Sequence, residues 1–107
     1  MTDELHVVVS ETVRAWSVVV RGEIDMDTAD QLERVLDEVI AKGALLVTLD
    51  LEQVDFLDSS GLRVILGASN KLGAQNGQLL LEGASSAVER VLEVTGMIER
   101  LRQSRPS

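Results

Sequence analysis

The apolar residues of this chain keep changing their period, and that alternation most narrows the folds open to it. His6-Val7-Val8-Val9 is β-branched, and Trp16-Ser17-Val18-Val19-Val20 repeats that character after Ser10-Glu11-Thr12, which reads as a turn. Together they predict a hairpin whose second strand ends at Gly22. Leu32, Val35, Leu36, Val39 and Ile40 then recur at helical spacing. Asp27 is the predicted N-cap of that helix, Asp30 suits its first turn, and Lys42-Gly43 closes it. Leu45-Leu46-Val47-Thr48-Leu49 is almost continuously apolar, as expected of a central strand covered on both faces. Leu62, Ile65, Leu66 and Leu72 mark a second helix ending near Asn76-Gly77, and Gln78-Leu79-Leu80-Leu81-Glu82 is a further strand. Ser86-Ala87-Val88-Glu89 is a capping box. It opens a third helix with Val88, Val91 and Leu92 inward and Gly96 at its end. Met97 to Leu101 reads as a short strand or helical turn, and Gln103 to Ser107 as a frayed end.

The order β-β-α-β-α-β-α predicts one α/β domain over residues 1–107. Its sheet is mixed but mainly parallel, with about four to five strands packed with helices and right-handed crossovers at the strand-helix-strand units. The 107 residues suit one compact domain, and a hydrophobic content of 45% provides a core. No repeat, linker or low-complexity segment interrupts them.

Composition removes several classes of function. A net charge of −8 disfavours nucleic acid and anionic membrane as partners and suits a docking surface with basic residues. The absence of cysteine excludes disulfides and thiolate metal sites. At 2% aromatic residues, no platform for stacking bases or sugars is visible. Met1-Thr2-Asp3-Glu4 lacks the basic region of a signal peptide, and no apolar run reaches membrane-spanning length. The expectation is a soluble cytoplasmic protein.

The candidate chemistry is sparse. Ser59 and Ser60 are not in a Gly-x-Ser-x-Gly elbow, and the single histidine, His6, reads as a strand-end residue and not as the base of a triad. Asp50, Glu52, Asp55 and Asp58 follow a strand and could form a weak Mg²⁺ site, but a solvated acidic loop is the preferred reading. Phosphate-binding glycine motifs are absent. Gly67, inside the second helix, is explained by close packing on the sheet or by close approach of a partner. No catalytic residue, cofactor site or metal site is predicted.

Asp58-Ser59-Ser60-Gly61-Leu62 remains. It places a hydroxyl beside a carboxylate at a helix N-terminus, where unpaired N–H groups and the helix dipole tolerate a phosphate. Two readings stay open on these residues alone: Asp58 or Ser59 is simply a cap, or Ser59 is a phosphorylation switch. The longer segment Asp55-Phe56-Leu57-Asp58-Ser59-Ser60-Gly61-Leu62-Arg63-Val64-Ile65-Leu66 resembles the phosphorylation motif of anti-sigma factor antagonists, bacterial proteins of the STAS-domain family. Gly22-Glu23-Ile24-Asp25 with Thr28-Ala29, and Ser86-Ala87-Val88-Glu89-Arg90-Val91-Leu92 with Thr95-Gly96, resemble two further motifs of that family.

The resemblance implies that Ser59 accepts phosphate and that Ser60 is a helix-start or secondary residue. It places Asp25 and Asp58 near the acceptor, and Gly61, Leu62, Arg63 and Gly67 on the helix that meets the partner. The implied mechanism is partner switching. The unphosphorylated chain, a monomer when free, binds an anti-sigma factor that is also an ATP-dependent serine kinase, and the sigma factor is released. Phosphorylation of Ser59 breaks the complex, and a PP2C-type phosphatase restores it. ATP belongs to the kinase, so the chain itself carries no cofactor. The alternative is a STAS scaffold or ligand-sensing module of a transporter or signalling complex. The basic end, Arg100, Arg102 and Arg105 before Pro106-Ser107, reads as a solvated tail without a full final helix.

Overall fold

The computed structural model describes residues 5–83 and Val88. Strands β1 (His6–Thr12) and β2 (Ala15–Ile24) are followed by helix α1 (Ala29–Ala41), strand β3 (Leu46–Leu57), helix α2 (Ser59–Ala74) and strand β4 (Gln78–Glu82). The four strands form one sheet in the order β1-β2-β3-β4. β1 and β2 are antiparallel, whereas β2 with β3 and β3 with β4 are parallel. This is the predicted mixed, mainly parallel α/β architecture. The predicted third helix and the segments after it lie outside the described residues, apart from Val88, which is helical and fully buried.

One face of the sheet carries the core. Trp16, Val18 and Val20 of β2 stand beside Val47, Leu49 and Leu51 of β3, and Leu79 of β4 pairs with Val47. Leu32, Leu36, Val39 and Ile40 of α1 and Leu62, Ile65 and Leu72 of α2 fill this core from the helices. Each such side chain taken out of water contributes about 1.5–3 kcal/mol before the entropy of ordering is counted. The helices lie side by side. Gln75 Nε2 donates to the carbonyls of Ile40 (3.1 Å) and Ala44 (2.9 Å), and Lys71 Nζ meets Asp37 Oδ1 at 2.7 Å.

Several local expectations are corrected. Ser10-Glu11-Thr12 is not a turn but the end of β1, paired with Ala15-Trp16-Ser17. The turn is Val13-Arg14, with Arg14 at φ +56°. β2 does not stop at Gly22. It passes through two register shifts against β3, with Gly22 at φ +117° between them, and ends at Ile24. That conformation is open to glycine and strained for other residues. β3 does not end at Leu49, so Asp50, Glu52 and Asp55 are strand residues and not a loop. Nor is β3 buried on both faces: Val47, Leu49 and Leu51 are buried, while Leu46, Thr48 and Asp50 between them are only half-buried. At α1 the N-cap is Thr28 rather than Asp27.

Candidate functional site

The parallel strands β2 and β3 end level with each other, Ile24 opposite Leu57. The Asp58 N–H donates to the Ile24 carbonyl at 3.2 Å, which carries the last rung one residue beyond β3. Asp58 is extended, at φ −107° and ψ −171°, and caps α2. Its Oδ1 accepts from the backbone N–H of Ser60 (2.8 Å) and of Gly61 (3.2 Å). These are two of the donors that a helix start leaves without an intrahelical partner. Asp58 is therefore the cap, one of the two residues the sequence offered for it.

Ser59 is the first residue of α2 and is exposed. The bonds from Asp58 pass over it to Ser60 and Gly61, and its hydroxyl makes no hydrogen bond among the described residues. Ser60 is half-buried. Gly61 is buried where α2 touches the strand ends. A Cβ there would stand 2.3 Å from Leu57 Cδ1 and 2.6 Å from Ile24 Cγ2. The glycine lets the helix start close enough to the sheet to hold Ser59 over the strand ends.

The turn after β2 supplies the second half of the site. Asp25 Oδ1 accepts from the N–H of Asp27 (2.9 Å) and of Thr28 (3.1 Å). The Asp25 N–H donates to Thr28 Oγ1 at 2.9 Å, and that hydroxyl donates to the Glu23 carbonyl at 2.7 Å. Glu23, Asp25, Asp27, Asp55 and Asp58 all belong to the last residues of β2 and β3 or to the residues just after them, at the end of the sheet where Ser59 begins α2. Among the described residues no group of three or more His, Cys, Asp or Glu side chains is gathered to hold a metal ion.

Of the expected site residues, the fold brings Asp25, Asp58, Ser59, Ser60 and Gly61 together. Arg63 is exposed on α2. Leu62 is not on the outer side of the helix: it is 6% exposed and belongs to the core. Gly61 likewise faces the sheet and offers a partner no surface. Gly67 is half-buried, and a Cβ there would meet nothing within 4 Å, so close packing on the sheet does not explain it. Met26 (78% exposed) and Phe56 (48% exposed) are apolar residues at this end that sequence reasoning missed. Their residue types signal burial, and only the fold turns them outward. Thr28 was legible as part of a motif, but its buried bonding role was not.

No helix of the described residues is long and apolar enough to cross a membrane. The STAS domain model matches residues 6–105. An anti-sigma-B factor antagonist of Listeria monocytogenes is 35% identical over 80 residues, which cover 75% of this chain and 70% of that protein. The crystal structure of an anti-sigma factor antagonist from Mycobacterium paratuberculosis superposes with a TM-score of 0.81 at 30% identity, covering 94% of this chain and 86% of that one. A sulfate transporter family protein from Wolinella succinogenes gives a TM-score of 0.72 at 26% identity, covering 84% and 73%. Sequence and fold agree along nearly the whole length, and the chain belongs to the STAS domain family.

Proposed function

We propose that this chain is an anti-sigma factor antagonist that works by partner switching, with Ser59 as the phosphoacceptor. The observation that carries the reading is the placement of Ser59: exposed, with its hydroxyl unengaged, directly behind an aspartate cap, in a chain whose relatives are named anti-sigma factor antagonists. Unphosphorylated, it binds an anti-sigma factor in the cytoplasm and frees the sigma factor. That anti-sigma factor is the serine kinase and brings the ATP, and a PP2C-type phosphatase reverses the modification. Ser60 and Arg63 border the contact, Asp25 and Asp58 hold the segments that carry Ser59, and Gly67 leaves room for close approach along α2.

The physics of the switch is local. A phosphoserine adds about −1.5 to −2 charges beside Asp58, with Asp25 and Asp55 at the same end of the sheet. The helix N-terminus stabilises part of that charge in water. Closing a partner over it requires desolvating a dianion among carboxylates and next to the exposed Met26 and Phe56. A loss of about 3 kcal/mol in binding weakens the complex more than a hundredfold, so no change of fold is needed.

The test is incubation with candidate anti-sigma serine kinases and Mg-ATP, followed by peptide mass spectrometry and a binding assay. A single phosphate on Ser59 with loss of binding supports the reading. Ser59→Ala is expected to bind and stay bound, and Ser59→Asp to bind weakly. Phosphorylation of Ser59→Ala at the wild-type rate would move the acceptor to Ser60. The likeness to the Wolinella transporter protein favours a second reading, a scaffold or ligand-sensing STAS module. Stable binding to another protein without modification by any kinase would select it.

A further inference from the structure

Asp25 stands at the Ser59 end of the sheet, where a carboxylate invites reading as a charged contact for a partner. Its bonds point inward instead. Oδ1 accepts from the N–H groups of Asp27 and Thr28, at 2.9 and 3.1 Å, within its own turn. The Asp25 carbonyl accepts from Thr28 (3.1 Å) and Ala29 (2.8 Å). Thr28 closes the turn from inside and is only 4% exposed. Its Oγ1 accepts the Asp25 N–H at 2.9 Å and gives its single proton to the Glu23 carbonyl at 2.7 Å; Asp25 Oδ1, 3.3 Å away, is the longer alternative. Asp25 and Thr28 thus satisfy each other's backbone reciprocally, in the manner of a capping box. At Oδ1 the carboxylate acts as a plain acceptor, which an amide oxygen would match.

The turn is also tied to the acceptor. Ile24 lies between the two residues that Thr28 clamps, Glu23 and Asp25. The Ile24 carbonyl receives the Asp58 N–H, and its side chain bounds the space beneath Gly61. Asp58 in turn caps the helix that Ser59 begins. A continuous series of bonds therefore runs from the Thr28 hydroxyl to the base of Ser59.

We infer that Asp25 and Thr28 are positioning residues, a latch that fixes Ser59 for its kinase through Ile24 and Asp58, and that Asp25 acts through the geometry of Oδ1 and not through its charge. The inference rests on Ser59 being the phosphoacceptor. Conservative and disruptive variants separate the two roles. Asp25→Asn keeps an oxygen acceptor and discards the charge, and Thr28→Ser keeps the hydroxyl. Asp25→Ala and Thr28→Val remove the bonding atoms.

Two measurements on the intact chain decide it. In amide hydrogen exchange, the Asp27 amide of Asp25→Ala and the Asp25 amide of Thr28→Val exchange about tenfold or more faster than in wild type, whereas the Thr28 amide of Asp25→Ala keeps its bond to the Asp25 carbonyl. Asp25→Asn and Thr28→Ser stay close to wild type. In phosphorylation kinetics, the disruptive variants raise KM about tenfold with kcat little changed, because only the latched fraction of the chain is competent to bind. The conservative variants retain wild-type KM. Unchanged exchange in Asp25→Ala and Thr28→Val overturns the latch. Asp25→Asn impaired as severely as Asp25→Ala, with its exchange pattern intact, overturns the geometric role and assigns a charge role. A wild-type chain that no kinase phosphorylates would refute the Ser59 reading and the positioning role with it, while the exchange data would still decide the latch.

Discussion

Gly61→Ala tests the central packing argument with one methyl group. The added Cβ would lie 2.3 Å from Leu57 Cδ1, 2.6 Å from Ile24 Cγ2 and 3.3 Å from Ile24 Cβ. Leu57 Cδ1 is the end of a side chain that has another rotamer, but Ile24 is β-branched, fully buried and stiff at χ1. The start of α2 must therefore lift from the strand ends. Overpacking of this kind costs about 1–3 kcal/mol, and the better helix propensity of alanine returns at most about 1 kcal/mol. The net loss is roughly 1–2 kcal/mol, equivalent to a fall in Tm of roughly 5–15 °C for a domain of this size. Gly67→Ala is the matched control. It lies in the same helix with nothing within 4 Å of the added Cβ, so the same substitution is expected to stabilise by about 0.5–1 kcal/mol. Thermal and urea unfolding of the two variants should shift in opposite directions. Gly61→Ala as stable as Gly67→Ala would refute the close approach of α2 to Ile24 and Leu57, and with it the account of how Ser59 is held.

Asp58→Ala removes the acceptor for Ser60 and Gly61 and should lower stability by about 1 kcal/mol, whereas Asp58→Asn should cost only a few tenths, as read by urea unfolding. Leu49→Ala empties a fully buried position at the centre of the sheet and should cost about 2–5 kcal/mol in the same assay. The hydrogen bond from Lys71 to Asp37 raises the Lys71 ammonium above its ordinary 10.5; burial opposes the rise, and the attraction of Asp37 and Glu33 adds to it. A raised folded-state value means the contribution is complete below 10.5 and disappears as pH rises through the folded value. Both side chains are about half exposed, so Asp37→Asn should lose no more than about 0.5 kcal/mol at neutral pH, and nothing in strongly alkaline buffer.

The identity of most elements could be read from the sequence because each signal is local. The 3.6-residue spacing of Leu32, Leu36, Val39 and Ile40 needs only one helix face to be apolar. Aspartate before Ser59-Ser60-Gly61 caps a helix through bonds spanning three residues. The extent of the strands was not local. Past Leu51 the apolar run of β3 gives way to Glu52, Gln53 and Asp55, and composition there suggests a loop. The strand continues because β2 continues beside it, with Arg21 opposite Gln53 and Glu23 opposite Phe56, so the polar side chains point outward while the ladder satisfies the backbone.

The sequence by itself determined the α/β alternation, the single acidic domain and the serine at the head of a helix. Tertiary structure alone decided what that serine stands among. Asp25 and Asp58 are far apart in the chain and come to the same end of the sheet only because β2 and β3 are parallel neighbours that end at the same level. Gly61 reads as part of a surface motif, yet it is buried where the helix starts against Ile24 and Leu57, and Leu62 beside it belongs to the core. Residue type and spacing constrain a backbone over a turn or two. Which face is covered, and which distant side chains share it, depends on the pairing of strands that lie a whole helix apart.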